Sequence, residues 1–266
     1  MKSVRTVILE DNLSTITVGM SSVIGRRKDQ QDTIESDDDY AIMENGKFIA
    51  VLCDGMGGLS GGKQASELCA THIKSSFHSE NCEEDISQFY RRVIVESDYK
   101  ITELKDKNGK PLRAGSTMAS IIIKDGELHW ASVGDSHIYL IRGNCIRCLT
   151  RDHNYYMLLE EKVKRGEMTQ QEADNHPQKE ALVSYMGMGG VKYVDRNAVP
   201  FKLVEGDHII LCSDGLYRTV CDEDIKNITN GIGEAKNVAN GLTEYAMRVG
   251  KKNQDNTSVI VVQYKG

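Results

Sequence analysis

The chain has 266 residues, of which 27% are charged and 39% are hydrophobic, and its formal net charge at pH 7 is −6. A chain of this length and composition can bury a large apolar core, and its acidic balance argues against a general nucleic-acid-binding protein, which needs a basic face for phosphate contacts. No apolar run approaches the roughly 20 residues of a membrane-spanning helix, and residues 1–12 lack the apolar segment of a secretory signal peptide.

The first part of the chain predicts strands followed by a pair of helices. Residues 15–25 alternate in polarity as a strand does. Residues 40–43 and 47–53 flank a Glu-Asn-Gly sequence that is typical of a hairpin turn. The second of these strands is apolar without interruption, so we expect both of its faces to be covered. Apolar residues at helical spacing then predict helices over 60–77 and 84–104.

Hairpins dominate the middle of the chain, and helices return after them. Strands are predicted over 116–124, 127–133, 137–142, 145–149, 201–204, 208–212 and 257–264. The segment 155–177 is helical, charged and poor in branched residues, which indicates an insertion carried on the sheet. Two more helices are predicted over 222–229 and 234–249. Because helices come in pairs and hairpins in blocks, the pattern indicates an α+β fold of antiparallel sheets with helix pairs outside them, in one domain over 1–266.

The cysteine pattern bears on the compartment of the protein. The seven cysteines are odd in number and irregular in spacing, which favours free, mostly buried thiols in a reducing cytoplasm. Cys145 and Cys148 form a C-x-x-C sequence, but no second Cys pair or His pair is spaced to complete a zinc site. Their alternating positions predict strand residues instead. We therefore expect a cytoplasmic protein with no membrane or nucleic-acid partner.

The informative pattern is a set of aspartates at the ends of predicted strands. They are Asp32, Asp54, Asp135, Asp214 and Asp255. Carboxylates that converge there repel one another, by roughly 4 kcal/mol for two charges about 4 Å apart at an effective dielectric constant near 20. Such a cluster is tolerable only if carboxylates are protonated or share a cation. All-oxygen ligands suit Mg²⁺ or Mn²⁺ rather than Zn²⁺.

Glycines follow two of these aspartates. Asp54-Gly55 and Asp214-Gly215 each close an apolar strand, where a glycine lets the backbone turn sharply and lets a carbonyl, such as that of Gly55, face a cation. Asp-Gly is also a common turn dipeptide, and we assign no function to Asp125-Gly126, which lies in polar surroundings. The joint occurrence of such pairs at the ends of apolar strands favours a functional site.

Seven short motifs occur in order along the chain. They are residues 27–32, Asp54-Gly55-Met56-Gly57-Gly58, Gly115-Ser116-Thr117, Val133-Gly134-Asp135-Ser136, Leu149-Thr150-Arg151-Asp152-His153, Ser213-Asp214-Gly215-Leu216 and Asp255-Asn256-Thr257-Ser258. Each motif alone is weak. Together, in this order and across nearly the whole chain, they resemble the motifs of the PP2C (PPM) family of metal-dependent Ser/Thr protein phosphatases, in its compact bacterial form.

The resemblance implies a fold and an activity. The fold is a four-layer α-β-β-α sandwich of two antiparallel sheets flanked by helix pairs, with a flap over about 155–190 beside the active site. The activity is hydrolysis of phosphoserine and phosphothreonine in proteins by water that two divalent ions activate, without a covalent intermediate. The implied partners are phosphorylated proteins, with the targets of a cognate Ser/Thr kinase as the natural candidates.

The resemblance also implies a ligand set for two ions, Mn²⁺ or Mg²⁺. Asp54 matches the residue that bridges the two ions. Asp214 and Asp255 match the residues that complete the shell of the first ion. Asp32 and the Gly55 carbonyl match the ligands of the second ion.

The other implied residues surround the two ions. Asp135 matches a ligand of a third, weaker ion, and Arg27 matches the arginine that grips the substrate phosphate. Met56 stands where some family members carry a histidine, and methionine has no proton to donate. A metal-bound water is therefore the expected donor to the leaving group.

Three positions depart from the family pattern. Gln30 stands where an asparagine is usual, His137 stands where an arginine often follows the Gly-Asp-Ser turn, and residues 186–190 at the end of the flap are rich in Met and Gly. With His137 in place of an arginine, we expect the surroundings of Asp135 to be less positive at neutral pH.

Two other functions compete with this interpretation. A cysteine-dependent phosphatase needs a C-x5-R sequence, and the spacing occurs both at Cys212 to Arg218 and at Cys145 to Arg151. Asp214 would repel a phosphate in the first of these, and the two matches lie in unrelated places. The second alternative is a catalytically inactive regulatory protein of the same fold. The complete set of acidic residues argues against it.

Overall fold

The computed structural model describes residues 15–37, 41–42, 47–56, 60–79, 85–250 and 252–266. Its strands are β1 (Thr15–Val23), β2 (Asp32–Ser36), β3 (Ala41–Ile42), β4 (Lys47–Asp54), β5 (Met118–Lys124), β6 (Glu127–Val133), β7 (His137–Arg142), β8 (Cys145–Cys148), β9 (Asp195–Arg196), β10 (Phe201–Lys202), β11 (His208–Cys212) and β12 (Thr257–Tyr264). Its helices are α1 (Gly62–Phe77), α2 (Ile86–Thr102), α3 (Tyr155–Lys164), α4 (Gln170–Asp174), α5 (Asp214–Tyr217), α6 (Asp222–Gly231) and α7 (Ala235–Val249).

The strands form two sheets, and the pairs between the described strands are antiparallel. The first sheet has the order β3-β1-β12-β11-β7-β8. The second sheet has the order β10-β6-β5-β4-β2, and β9 pairs with β6. The predicted α+β class with two antiparallel sheets is confirmed. None of the described helices is both long enough and apolar enough to cross a bilayer.

Strand β4 shows why the layers stack as they do. Phe48 and Leu52 belong to an apolar cluster that also contains Ile209 of β11 and Ile260 of β12, so this cluster lies between the two sheets. Val51, on the opposite side of the strand, belongs to a cluster with residues of α1 and α2. Both faces of β4 are therefore covered, as its uninterrupted apolar sequence predicts. Burying each such side chain contributes about 1.5–3 kcal/mol to folding.

A third apolar cluster completes the four layers. Ile225 of α6 and Leu242 of α7 pack with Ile210 and Val261 on the outer face of the first sheet. The layers are thus a helix pair, the second sheet, the first sheet and another helix pair. The four-layer α-β-β-α sandwich implied by the family resemblance is confirmed.

The predicted hairpin of 40–43 with 47–53 is wrong. Strand β3 pairs with β1 in the first sheet, whereas β4 lies in the second sheet between β2 and β5. The turn residues 43–46 lie outside the described residues. Two strands that are adjacent in the chain therefore belong to different sheets.

Three short elements were not predicted, namely β9, β2 and α5, and the last two begin on a predicted site residue. Strand β2 begins at Asp32 and helix α5 begins at Asp214. With five and four residues, they are too short to show a periodic apolar pattern. Each exists because it packs on a longer neighbour, β4 for the strand and β12 for the helix.

The segment 155–190, called the flap here, contains helices α3 and α4, which confirms the helical prediction for 155–177. The side chain of Asn154 accepts a hydrogen bond from the Met157 amide at the start of α3. Thr169 and Glu172 form a capping box at the start of α4. Both helices therefore begin at sequence-encoded caps.

The Met- and Gly-rich end of the flap wraps around a carboxylate of α2. Asp98 is 5% exposed, and it accepts hydrogen bonds from the backbone amides of Gly187 (2.7 Å), Met188 (3.0 Å) and Gly190 (2.6 Å). Gly187 has a φ of 96°, and a Cβ at this position would lie 2.4 Å from Ile101 Cγ2. This departure from the family pattern therefore fastens the flap to α2.

Replacing Asp98 with asparagine is expected to loosen this end of the flap. The amide group keeps one acceptor oxygen but turns an N–H₂ toward backbone donors, so buried hydrogen bonds to a charged group are lost. We expect a loss of about 2–4 kcal/mol in the free energy of unfolding, with faster amide hydrogen exchange at residues 186–190. Urea unfolding and hydrogen-exchange mass spectrometry measure the two effects.

Asp106 offers a matched control, because its Oδ1 accepts from the amides of Asn108 and Lys110 in a surface turn. Asp106→Asn should cost less than about 1 kcal/mol, because water replaces what is lost there. Equal costs for the two variants would contradict the role assigned to Asp98.

Candidate active site

The predicted site residues come together in one cleft of about 660 Å³. Six of them line it: Arg27, Asp54, Gly55, Asp135, Asp214 and Asp255. The seventh, Asp32, is 8% exposed and lies behind the cleft wall, opposite Asp54 in the β2–β4 pair. Residues from far-apart parts of the sequence therefore meet at one end of the sandwich.

The sheet pairing brings the aspartates together. Asp32 and Asp54 are Cα partners across the antiparallel β2–β4 ladder, so their side chains share one face of the second sheet. In the first sheet, β11 pairs with β12; Asp214 lies two residues after β11 and Asp255 two residues before β12. Asp135 lies where the chain passes from β6 of the second sheet to β7 of the first.

A buried hydroxyl joins the two sheets at the site. Ser213 Oγ donates to Asp32 Oδ2 (2.8 Å) and accepts from the Ser258 amide (3.0 Å). The other carboxylate oxygen of Asp32, Oδ1, is buried and has no hydrogen-bond partner among the described residues. A buried polar atom of this kind is costly, and a hard cation with oxygen ligands is a group that would satisfy it.

The backbone of Asp54 is held by the Gly-Ser-Thr motif, which the Gly-Asp-Ser motif supports in turn. The Asp54 amide donates to Thr117 Oγ1 (2.9 Å), and the Asp54 carbonyl accepts from the Thr117 amide (2.8 Å) and from Ser116 Oγ (2.9 Å). Thr117 Oγ1 also shares a hydrogen bond with Ser136 Oγ (2.7 Å). The Gly-Ser-Thr and Gly-Asp-Ser motifs thus fix the strand end that carries Asp54.

Crowding of carboxylates changes their acidity. Burial, followed by repulsion from Asp32, Asp214, Asp135 and Asp255, raises the pKa of Asp54 well above its usual range. Burial also raises the pKa of Asp32 to about 6 and that of Asp214 to about 7. In the absence of a cation, these groups therefore keep their protons to a higher pH than an ordinary aspartate does, as expected of carboxylates that a positive charge would stabilise.

Two arginines already lie against this cluster. Arg27, which the resemblance assigns to the substrate phosphate, is paired with Asp255. Arg218 contacts Asp214 (3.2 Å) and Asp135 (3.1 Å). Sequence analysis did not identify Arg218, although its position four residues after Asp214 on a helical turn is a signal that could have found it.

The side chains of the described residues do not have the arrangement of a complete metal-binding site. No group of three or more His, Cys, Asp or Glu residues in this part of the chain has the arrangement of metal ligands. Instead, Asp214 and Asp255 have arginines as their nearest cations. The side chain of Arg27 is 52% exposed, and Arg218 meets Asp214 as an ion pair without the hydrogen-bond geometry that it has with Asp135, so Asp214 and Asp255 retain acceptor capacity for a metal ion.

The expectation of weak positive charge near Asp135 is wrong. His137 lies between Asp152 (2.8 Å) and Tyr139 (2.9 Å) and stacks on Tyr217. Burial lowers the pKa of His137, but interaction with Asp152 and Cys148 outweighs it and raises the pKa to about 9. His137 is therefore positive at neutral pH.

Gln30, another departure from the family pattern, holds the backbone next to Asp32. Its side-chain oxygen accepts from the Asp32 amide (3.0 Å), and its side-chain nitrogen donates to Ser22 Oγ (2.8 Å). Gln30 thus fixes the start of β2, where Asp32 lies. An amide side chain is what this position uses, since it both accepts and donates.

The six cysteines that the structure describes are free, as predicted, but only three of them are buried: Cys53, Cys69 and Cys212. Cys145 and Cys221 are exposed, and Cys148 is partly exposed. The expectation of mostly buried thiols therefore holds for half of them. Cys212 is fully buried, and burial raises the pKa of its thiol well above the usual value, which makes it a poor nucleophile.

Comparison with known proteins matches the chain to one family. The family model described as protein phosphatase 2C matches residues 16–162. The serine/threonine phosphatase stp of Listeria welshimeri is 29% identical over 233 residues, which cover 86% of this chain and 90% of the relative.

Solved structures show the same fold. The S. agalactiae serine/threonine phosphatase superposes with a TM-score of 0.79 at 29% identity, covering 93% of this chain and 99% of the other. The catalytic domain of the phosphatase PstP, in complex with 2 manganese ions, superposes with a TM-score of 0.73 at 23% identity, covering 95% and 100%. The family model spans more than half of the chain, so the chain belongs to the protein phosphatase 2C family.

Proposed function

We propose that the cleft hydrolyses phosphoserine and phosphothreonine in proteins with the help of two divalent ions, Mn²⁺ or Mg²⁺. Family membership makes the chain a metal-dependent protein serine/threonine phosphatase. The observation that carries the proposal for the site is the crowded carboxylate cluster, with raised pKa values and an unpartnered buried oxygen on Asp32. Such a cluster favours hard cations with oxygen ligands.

The ligand set we propose has one shared residue. Asp54 would bind both ions, Asp214 and Asp255 would complete the shell of the first, and Asp32 with the Gly55 carbonyl would bind the second. When bound, two such ions supply an activated water as the nucleophile and compensate the charge of the phosphoryl oxygens. The manganese in the PstP structure supports a two-ion site of this kind.

Arg27 is the residue we propose for orienting the phosphate. Its side chain is 52% exposed at the cleft, where it pairs with Asp255. A guanidinium group can bind two phosphate oxygens at once, so the arriving phosphate competes with Asp255 for the same donors. Arg27 would thereby hold the phosphorus in line with the attacking water.

The lining residues favour direct attack by water over a covalent intermediate. The hydroxyl of Thr117 lines the cleft but is committed to the Asp54 amide and to Ser136. Met56 also lines the cleft and has no proton to donate. We therefore propose that a water held by the ions, when they are bound, would supply the proton to the leaving alkoxide.

We also propose the finer points of organisation and substrate. The chain would be one domain over 1–266, and the flap, whose Glu180 and Leu182 line the cleft, would affect substrate choice. The substrates would be cytoplasmic proteins that a cognate Ser/Thr kinase phosphorylates. A matched pair of assays, phosphoproteome comparison with and without the gene and direct dephosphorylation of the peptides found, identifies them.

The test of the activity uses purified protein with a phosphothreonine peptide. We expect phosphate release with millimolar Mn²⁺ or Mg²⁺, complete loss with a chelator, and recovery when the metal is restored. Cys212→Ala should retain activity, because Cys212 is buried and protonated. Activity that survives the chelator but is lost in Cys212→Ala would favour the cysteine mechanism, and no activity under any of these conditions would favour the regulatory protein.

A further inference from the structure

Arg218 occupies a central position on one side of the cleft. Its Nη2 lies 3.1 Å from Asp135 Oδ2 and 3.4 Å from Glu180 Oε2 of the flap, and its Nε lies 3.2 Å from Asp214 Oδ2. One guanidinium group therefore joins an aspartate of the β6–β7 connection, an aspartate that follows β11 and a residue of the flap.

The three contacts differ in importance. The side chain of Glu180 is 56% exposed, and an ion pair that water can reach contributes little. The side chain of Asp135 is 8% exposed, so it cannot rely on water to solvate its charge. Arg218 matters most as the partner of Asp135, and to a lesser degree of Asp214, which is 18% exposed.

The acidic cluster is thus divided into two halves. On one side, the Asp32 oxygen Oδ1 lacks a partner, and Asp54 is surrounded by other carboxylates. On the other side, Asp135 has the permanent charge of Arg218 in direct contact, with His137 nearby. The half around Asp32 and Asp54 has no cation of its own and would be stabilised by one from solution. The half around Asp135 already contains a cation, the guanidinium group of Arg218.

We propose that the Arg218 guanidinium is the resident cation of the Asp135 side of the cleft, and that it keeps this side free of a divalent ion. The inference rests on the proposed function, because it concerns the ion content of the same cleft. Asp135, which the family resemblance assigns to a third, weaker ion, is then a partner for an arginine in this chain.

The physical reason is competition for the same oxygens and the same space. A divalent ion on Asp135 would have to share a carboxylate whose Oδ2 already accepts a hydrogen bond from Arg218 Nη2 at 3.1 Å. Two positive groups so close together repel each other strongly in a poorly solvated cleft. Because an arginine remains charged at any accessible pH, the exclusion does not depend on pH.

The test counts bound Mn²⁺ per chain by equilibrium dialysis with elemental analysis, up to millimolar free metal. The informative quantity is the difference in the number of bound Mn²⁺ ions per chain between a variant and the unmodified protein. Arg218→Gln removes the charge, so we expect one additional ion per chain. The double variant with Asp135→Asn should lose that ion again. Arg218→Lys keeps a positive charge, and its ion count should match that of the unmodified protein.

Arg147→Gln is the matched control, since Arg147 is exposed on β8 and does not line the cleft. It should leave the ion count unchanged. An unchanged count in Arg218→Gln, or a gain that persists when Asp135 is also replaced, would overturn the proposal. A count below two in the unmodified protein would contradict the two-ion function instead, while the difference between variants would still decide the role of Arg218.

Discussion

Asp54→Asn is expected to abolish phosphatase activity and, at the same time, to stabilise the metal-free protein. The activity should fall by about a thousandfold or more, because the proposed shared ligand of both ions loses its charge. Stability should rise because the substitution removes an ionisable group whose pKa is raised by burial and by repulsion from the surrounding aspartates. Peptide dephosphorylation and thermal unfolding in chelator measure the two effects.

The sign of the stability effect depends on pH. The folded protein holds the Asp54 proton to a higher pH than the unfolded chain does, so ionisation above the unfolded pKa near 3.8 favours unfolding. Asparagine has no proton to lose and escapes this penalty. The gain should therefore be largest at pH 7 and above, and it should vanish only as the pH falls well below the unfolded pKa near 3.8, where Asp54 is protonated in both states.

Asp125→Asn is the control for the Asp54 variant. Asp125 is an exposed turn residue at a φ of 51°, a conformation that asparagine also tolerates, so the same change of charge is made away from the cleft. It should alter neither activity nor metal-free stability appreciably. Full activity in Asp54→Asn would falsify the assignment of Asp54, and a less stable metal-free variant would refute the repulsion argument.

Gly215→Ala is expected to damage both the fold and the site. A Cβ on Gly215 would lie 2.0 Å from the Asn256 carbonyl oxygen and 2.5 Å from Thr257 Oγ1. Because one of these atoms is backbone, the chain must move, at a cost of roughly 2–4 kcal/mol in the free energy of unfolding. The movement would separate Asp214 from Asp255, so activity should fall by about tenfold or more even in the folded protein.

Gly231→Ala makes the same change where nothing lies within 4 Å of the new Cβ, at the last residue of α6. Its stability should be unchanged or slightly higher, because alanine is the better helix former. Urea unfolding at saturating Mn²⁺, with activity per folded molecule, compares the two variants. If Gly215→Ala behaves like this control, the close approach of the two loops has no functional importance.

The aspartates at the strand ends could be predicted because the residues next to them in the sequence form a recognisable pattern. Except for Asp32, each follows or precedes an apolar run, and a carboxylate in such a position is rare without a reason. Asp54 after β4 and Asp214 after β11 were recognisable in this way. The long helices and most hairpin strands were recognisable too, since their apolar period extends over several turns or alternations.

Other features of the site could not be predicted, because they join residues that are far apart in the sequence. The amides of the flap that bind Asp98 lie about ninety residues away from it. The pairing of Arg218 with Asp135 joins residues 83 positions apart. The error at β3 has the same origin, because a turn sequence reports on neighbours in the chain and not on which sheet a strand enters.

The amino-acid sequence by itself determined the kinds of elements, the family motifs and the oxygen-rich chemistry, because periodicity and residue type are local properties. Only the tertiary structure decided which carboxylates face each other, which oxygen of Asp32 lacks a partner and which arginine compensates Asp135. These depend on distances set by the packing of two sheets, and electrostatic energies change steeply over a few ångströms. Asp32 and Asp54 are 22 positions apart in the chain, yet strand register makes them direct neighbours.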